Sequence, residues 1–352
     1  MEAGETLQVK EGVDQETIDA VREVSTYKYG WDTDIEMEYA PKGVNEDIVK
    51  LISEKNSDDF NSSQKDSFNR FIFYEGQATY SINHNGLDRE YILYIPPNIE
   101  SRTNLPVIFN FHGYQGRANQ FFNMTDLIDI ADENGVVLVY PQGAPLDGGP
   151  SHWNAAPFNS SSFVNKSNVN DLQFFLRLLD VVNQNNILDL NRVYAIGYSN
   201  GGMFSHFLAC NTENVFAAIG DVAGTMLADA YDNCNPSSPV PVLKIHGTSD
   251  NVVGYNGYND GGFKSVDEVI DFWKENNKSN DQFSLNNFVS SSWAEYMGPV
   301  NFEKYTYESD ENDSEIVHYK MLGGGHWWDY SLDENLKTSS LLWDFFSRHS
   351  KE

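Results

Sequence analysis

Positive charge is scarce in this 352-residue chain: 23 Lys and Arg stand against 52 Asp and Glu, for a formal net charge of −29. A surface of that sign repels phosphate backbones and anionic bilayers, so nucleic acid is not an expected partner. The acidity serves solubility, and no localised motif ties it to cationic substrates. Long apolar runs are also lacking. No stretch of about 18 consecutive apolar residues occurs, so no membrane-spanning helix is encoded. The opening MEAGETLQVKEG has neither a basic nor an apolar region, so no secretory leader is legible there, whether by nature or by prior removal. Cysteine is nearly absent. Cys210 and Cys234 could be a reduced buried pair or a disulfide, and the latter would imply an oxidising compartment. No cysteine–histidine cluster has zinc spacing, so neither a metal nor another cofactor is expected.

What is present is the composition of a folded protein, with 40% hydrophobic and 14% aromatic residues. The length allows one large domain with or without an appendage. Residues 1 to about 70 are rich in Glu, Asp, Lys, Ser and Asn, with apolar residues spaced as in short amphipathic helices (Ile18, Val21, Val24; Ile48, Leu51, Ile52). The run Ser53 to Ser67 has linker composition. These residues read as a small acidic N-terminal extension, accessory to a domain spanning 71–352.

That domain has an α/β pattern. Arg89 to Ile95 alternates polar and apolar residues before Pro96-Pro97. Leu105 to Phe111, Val136 to Tyr140, Arg192 to Ile196 and Pro241 to Ile245 are compact apolar runs. Between them, Asp126 to Glu133 and Asp171 to Val182 have helical spacing. Continuous apolar strands alternating with helices predict a mostly parallel central sheet with helices on both faces. Active sites of such sheets lie at the carboxyl ends of the strands.

The chemistry-bearing residues fall there. Gly197-Tyr198-Ser199-Asn200-Gly201 is a G-x-S-x-G motif, which chance alone supplies in roughly one chain of this length in ten. Its setting is more specific: it follows one apolar strand and precedes the helical run Met203 to Ala209, as in a nucleophile elbow. A serine hydroxyl needs a base to remove its proton, and this fold supplies acid and histidine downstream in that order. Asp250, in HGTSD after a strand, and His326, in GGGHWW, meet both order and placement. His112 and His246, before glycines at strand ends, read instead as backbone supports. The remaining histidines read as surface or packing residues. The oxyanion hole needs two amides, and Asn200 and Tyr114, in the HGYQG turn, are the candidates.

Taken in order, LPVIFNFHGYQG, Trp153-Asn154-Ala155, Asn170-Asp171, GYSNGGM, HGTSDNVV and GGGHWW resemble the polyhydroxybutyrate depolymerase and feruloyl esterase group. This group is a carbohydrate esterase family one branch of the α/β-hydrolases. The resemblance spans residues 75 to 350. It implies a secreted or periplasmic serine esterase acting on feruloyl or acetyl esters of polysaccharide, or on oligosaccharide and oligoester substrates. It also implies Trp153 near the substrate, a Cys210–Cys234 disulfide, and the same triad and oxyanion donors. The group often has GGGHTW where Trp327 follows His326 here, so Trp327 is a candidate cleft wall. Two other readings stand beside this one: a polyester oligomer depolymerase, and a non-catalytic binding protein on a hydrolase fold.

Overall fold

The apolar runs become the middle of one large sheet. The computed structural model describes residues 76–97, 103–146, 151–157, 167–184, 186–258, 262–289, 301–329 and 337–351. The chain divides into two units at Gly76/Gln77, and the fold below is that of the second. The extension expected over residues 1–70, with its short helices, lies outside the described residues.

In chain order the elements are β1 (Gly76–His84), β2 (Leu87–Ile95), β3 (Leu105–Phe111), α1 (Ala118–Thr125), α2 (Ile128–Asn134), β4 (Val137–Pro141), and the short pair β5 (Ala144–Pro145) and β6 (Ser151–His152). There follow α3 (Asp171–Val182), β7 (Leu188–Tyr198), α4 (Asn200–Asn211), β8 (Ala218–Val222), α5 (Ala228–Asp232), β9 (Val242–Gly247) and α6 (Val266–Asn277). The chain closes with β10 (Ser284–Val289), β11 (Asn301–Glu308), β12 (Glu315–Leu322) and α7 (Thr338–Phe346).

Ten strands form one sheet in the order β1-β2-β4-β3-β7-β8-β9-β12-β11-β10. The six strands from β4 to β12 are parallel. Both edges are antiparallel, since β2 runs against β4 and β10 and β11 form a ribbon on β12. The expected parallel sheet is therefore the centre of a mixed one. Only six residues separate β11 from β12, and so short a connection permits only antiparallel pairing. At the other edge, Asn85-Gly86 joins β1 to β2 with φ of 52° and 82°. Two consecutive positive φ values make the tight hairpin turn that an Asn-Gly pair favours.

Helices cover both faces. On one, α1, α2 and α7 bring Phe121, Phe122, Leu127, Ala131, Leu342 and Phe345 into a shared core with Ile108, Leu138, Ile196 and Ile245. On the other, Phe109 and Phe111 of β3 meet Phe175 of α3 and Phe204 of α4 edge-on, with ring centres 5.1 and 5.0 Å apart. Asn170 caps α3 by accepting from the Gln173 amide at 3.0 Å. Because β3, β7, β9 and β12 are parallel, the loops that follow them all emerge at one edge of the sheet.

Cys210, in the last turn of α4, is disulfide-bonded to Cys234 beyond α5, 24 residues on. A loop of that length is expected to contribute about 3 kcal/mol by restricting the unfolded chain. Cys210→Ser/Cys234→Ser should lower the urea midpoint accordingly, and an unchanged midpoint would show that the link carries no such load.

Candidate active site

Ser199 stands alone in the turn between β7 and α4, with φ 55° and ψ −119°. A side-chain-bearing residue rarely adopts that φ. The flanking glycines permit it by letting backbones touch. A Cβ on Gly197 would lie 2.0 Å from the Gly201 carbonyl carbon, and a Cβ on Gly201 would lie 2.0 Å from the Phe111 carbonyl oxygen. The start of α4 is thus pressed against the ends of both β7 and β3. No side chain fits between them.

The acid and histidine loops are laced together. Thr248 N–H donates to the Met321 carbonyl, Ser249 N–H to the Gly324 carbonyl, and Gly323 N–H to Thr248 Oγ1, at 2.8 to 2.9 Å. Gly247 has no Cβ because the Gly324 carbonyl oxygen would lie 2.2 Å from it. Tyr198 then fixes the far end of the histidine loop, its hydroxyl donating to the His326 carbonyl at 3.0 Å. This tyrosine occupies the variable position of the G-x-S-x-G motif, and nothing in the motif signals its role.

The three predicted side chains meet in a line. His326 Nε2 lies 2.9 Å from Ser199 Oγ, and His326 Nδ1 lies 2.7 Å from Asp250 Oδ2. Asp250 Oδ1 accepts from the Val252 and Val253 amides at 2.8 Å each. Burial pushes the Asp250 carboxyl up, but hydrogen bonds from His246, His326 and the Val252 amide outweigh it and hold the group well below the usual carboxylate range. An ionised carboxylate only accepts, so His326 carries its proton on Nδ1 and turns the bare Nε2 toward the serine.

Asn200 opens α4, so its N–H has no acceptor within the helix and sits at the positive end of the helix dipole. Its side chain is clamped, accepting from the Trp153 amide at 2.7 Å and donating to the Trp153 carbonyl at 3.0 Å. Tyr114 lies in the turn after β3, its side chain exposed. The adjoining Gly113 packs on the nucleophile, where a Cβ would meet Ser199 Cβ at 3.3 Å. Beneath this turn His112 bonds Gly113 O through Nδ1 at 2.8 Å and accepts the Gly143 amide on Nε2 at 2.9 Å.

Trp153 corrects an expectation. It is 0% exposed, stacked on Phe204 with its indole N–H on the His112 carbonyl at 3.0 Å. A side chain so enclosed braces the turn from below and does not reach a substrate. Its neighbour Asn154 donates its amide N–H to Asp171, which also pairs with the buried Arg89 at 2.9 Å. Trp153-Asn154-Ala155 and Asn170-Asp171 are thus parts of one support. Trp327 is half-buried beside His326 with its ring folded over Gly325, while Trp328 is the core anchor, packed edge-on against Phe121.

These buried histidines should make the protein acid-sensitive. Burial lowers the pKa of His112 to about 4 and also lowers those of His246 and His318. A histidine with a depressed folded pKa takes up its proton first in the unfolded chain. Its stabilisation is therefore complete above about pH 6.5 and is lost as pH falls toward 4. His112 alone is expected to account for about 3 kcal/mol. Urea titrations in about 0.5 M salt, which screens the acidic surface, should show that loss between pH 6.5 and 4. A flat profile there would refute it.

Comparison with known proteins adds family likeness to this geometry. Residues 89–260 match the family model described as esterase PHB depolymerase, a span that includes Ser199 and Asp250 but stops before His326. Feruloyl esterase B of Piromyces equi is 29% identical over 171 residues, 48% of this chain and 30% of that protein. A bifunctional acetylxylan esterase/xylanase of Neocallimastix patriciarum is 26% identical over 265 residues, 75% of this chain and 34% of that protein. The chain spans about a third of the length of these two relatives. Feruloyl esterase D of Neurospora crassa is 30% identical over 176 residues, 50% of this chain and 58% of that protein. Among solved structures, an acetyl xylan esterase from Aspergillus awamori superposes with a TM-score of 0.51 at 12% identity, covering 77% of this chain and 99% of that one. An S-formylglutathione hydrolase from Agrobacterium tumefaciens gives 0.50 at 12% identity, covering 77% and 95%. These structural likenesses show the fold, that of the α/β-hydrolases.

Proposed function

We propose, from the chain's place in the polyhydroxybutyrate depolymerase and feruloyl esterase group, that it is a serine carboxylic ester hydrolase. The observation that carries this reading is the line from Ser199 Oγ through His326 to Asp250, with 2.9 and 2.7 Å steps, at the mouth of a nucleophile elbow. Ser199 Oγ attacks the ester carbonyl while His326 Nε2 takes its proton. Asp250 holds the imidazolium that forms. The amides of Asn200 and Tyr114 receive the negative charge on the carbonyl oxygen. His326 returns the proton to the departing alcohol, leaving an acyl-serine, and water enters by the same route in reverse. Residues 1–70 act as an accessory extension outside this chemistry.

Feruloyl or acetyl esters on polysaccharide-derived substrates are the leading class, as the names of the relatives suggest. Oligomers of a hydroxyalkanoate polyester are the second, favoured by the family match itself. A secreted or periplasmic location is supported by the disulfide, since such links persist in oxidising compartments. Among the described residues no helix is long and apolar enough to cross a membrane.

The test is a panel of p-nitrophenyl esters of rising chain length, methyl ferulate, acetylated xylan and hydroxybutyrate oligomers, each with wild-type protein and Ser199→Ala. Turnover is expected on at least one short ester, falling by about 10⁶-fold in the variant. A silent wild-type protein would favour the binding-protein reading. Turnover confined to the oligomers would favour the polyester reading.

A further inference from the structure

A charged cluster that this chemistry does not use lies behind the candidate triad acid. Asp221 on β8 and Lys244 on β9 face each other in register, both fully buried. Lys244 Nζ has three neighbours: Asp221 Oδ2 at 2.9 Å, the Gly224 carbonyl at 2.9 Å and His246 Nδ1 at 2.7 Å. Burial lowers the Lys244 pKa, but the ionised Asp221 opposes that and favours the ammonium, whose three protons match these three neighbours, so Lys244 donates to each. His246 Nδ1 is therefore the bare ring nitrogen, and its proton sits on Nε2. There it points at the Val253 carbonyl, 2.8 Å away, and at Asp250 Oδ2, 3.4 Å away.

The far side of the cluster is equally determined. Trp273 Nε1 can only donate, and it does so to His206 Nδ1 at 3.0 Å. His206 must then donate from Nε2 to Asp221 Oδ2, at 3.0 Å, while Gly224 N–H donates to Oδ1 at 2.8 Å. Burial pushes Asp221 up, but Lys244 and His206 outweigh it and keep the carboxylate ionised. The result is a line of polar contacts running Trp273, His206, Asp221, Lys244, His246, Asp250, His326, Ser199, hydrogen-bonded at every step but the longer 3.4 Å approach of His246 to Asp250.

A buried ion pair is weak grounds for stability, because desolvation offsets most of its attraction. What this one does specify is a tautomer. With its proton on Nδ1, His246 would face the Lys244 ammonium with an N–H and turn a lone pair toward the Val253 carbonyl and the Asp250 carboxylate. Both contacts would be repulsive. The other groups around His246 do not compete for it. The Tyr255 ring meets it edge-on at 5.9 Å and stacks on His318, and Lys320, opposite His246 on β12, lies 5.4 Å from the Tyr255 ring centre.

We propose that Asp221, Lys244 and His246 are positioning residues: Lys244 fixes His246 with its proton on Nε2, and that N–H braces the Val253 turn and Asp250 so that Oδ2 meets His326. The proposal rests on the reading of Ser199, His326 and Asp250 as a triad. His246→Leu should lower kcat by about tenfold to 100-fold, the effect of misplacing a catalytic group by about 1 Å, with little change in KM. The downfield proton resonance of the His326–Asp250 bond should move or broaden with it. His246→Gln, which can offer an amide N–H near the Nε2 position, should keep kcat within about threefold of wild type.

Wild-type kcat and an unmoved resonance in folded His246→Leu would overturn the proposal. Should that variant fail to fold, nitrogen NMR of the histidines in the wild-type protein decides. Protonation of His246 on Nε2 alone from pH 5 to 9 is expected, and an Nδ1–H form or an imidazolium in that range overturns it. That measurement needs no substrate. A wild-type protein without ester turnover would strike the esterase reading, while the tautomer still decides whether His246 turns its N–H toward the Val253 carbonyl and Asp250.

Discussion

Asp250→Asn is expected to lower kcat by about 10⁴-fold while leaving the protein folded and KM little changed. The size of the effect follows from which way the new amide must point. Asp250 Oδ1 accepts two backbone N–H groups, from Val252 and Val253, each at 2.8 Å. An asparagine keeps those bonds only by placing its carbonyl there, which puts its NH₂ where Oδ2 faces His326 at 2.7 Å. A donor in that position forces the His326 proton from Nδ1 to Nε2. The imidazole then presents an N–H to Ser199 Oγ and has no lone pair to take the serine proton. Urea unfolding and turnover of a short p-nitrophenyl ester, measured on the same preparation, check both halves. Turnover within tenfold of wild type would mean that some group other than Asp250 orients His326.

Gly201→Ala should, with Gly197→Ala, be among the most damaging single methyls at the described glycines. The added Cβ would fall 2.0 Å from the Phe111 carbonyl oxygen and 2.8 Å from the His112 carbonyl oxygen. Both obstacles are backbone at the end of a central strand, so neither can swing aside. The start of α4 would have to withdraw from β3, carrying Ser199 and the Asn200 amide with it. A loss of at least about 3 kcal/mol is expected from the forced contact, with kcat/KM falling at least about 100-fold through the displaced nucleophile. Gly86→Ala is the control. It sits at φ 82° in the β1–β2 hairpin with nothing within 4 Å of the new Cβ, so it should cost only the backbone strain of about 1 kcal/mol and leave turnover intact. Equal effects from the two substitutions would show that general glycine flexibility, rather than close approach at the elbow, explains Gly201.

The strands were legible where burial leaves a plain mark. LPVIFNF is apolar at all but one position and coincides with β3, and the apolar spacing of Asp171 to Val182 coincides with α3. The edge ribbon of β10 and β11 was not legible. Half-exposed antiparallel strands such as NFEKYTYE alternate too weakly to stand out from loop composition. Candidate site residues divide the same way. Ser199, Asp250 and His326 are marked by chain order and by their positions after strands, and their side chains come together in the structure. Trp153 was placed near the substrate on resemblance alone and is wholly enclosed. His112 and His246 read as backbone supports, and both make such bonds.

By itself, then, the sequence determined the local units: which segments are buried strands, where the chain turns sharply at a serine, and which residue types are available to activate it. Periodicity and turn chemistry act over a few residues, so they can be read from a few residues. Only the tertiary structure decided which turns lace together across 70 or more residues, as Thr248 does with Gly323. It also decided that Lys244, an apparent blemish in an apolar strand, stands opposite Asp221. Those pairings depend on strand order and register across the sheet, and a lone polar residue in an apolar run carries no record of what it will face.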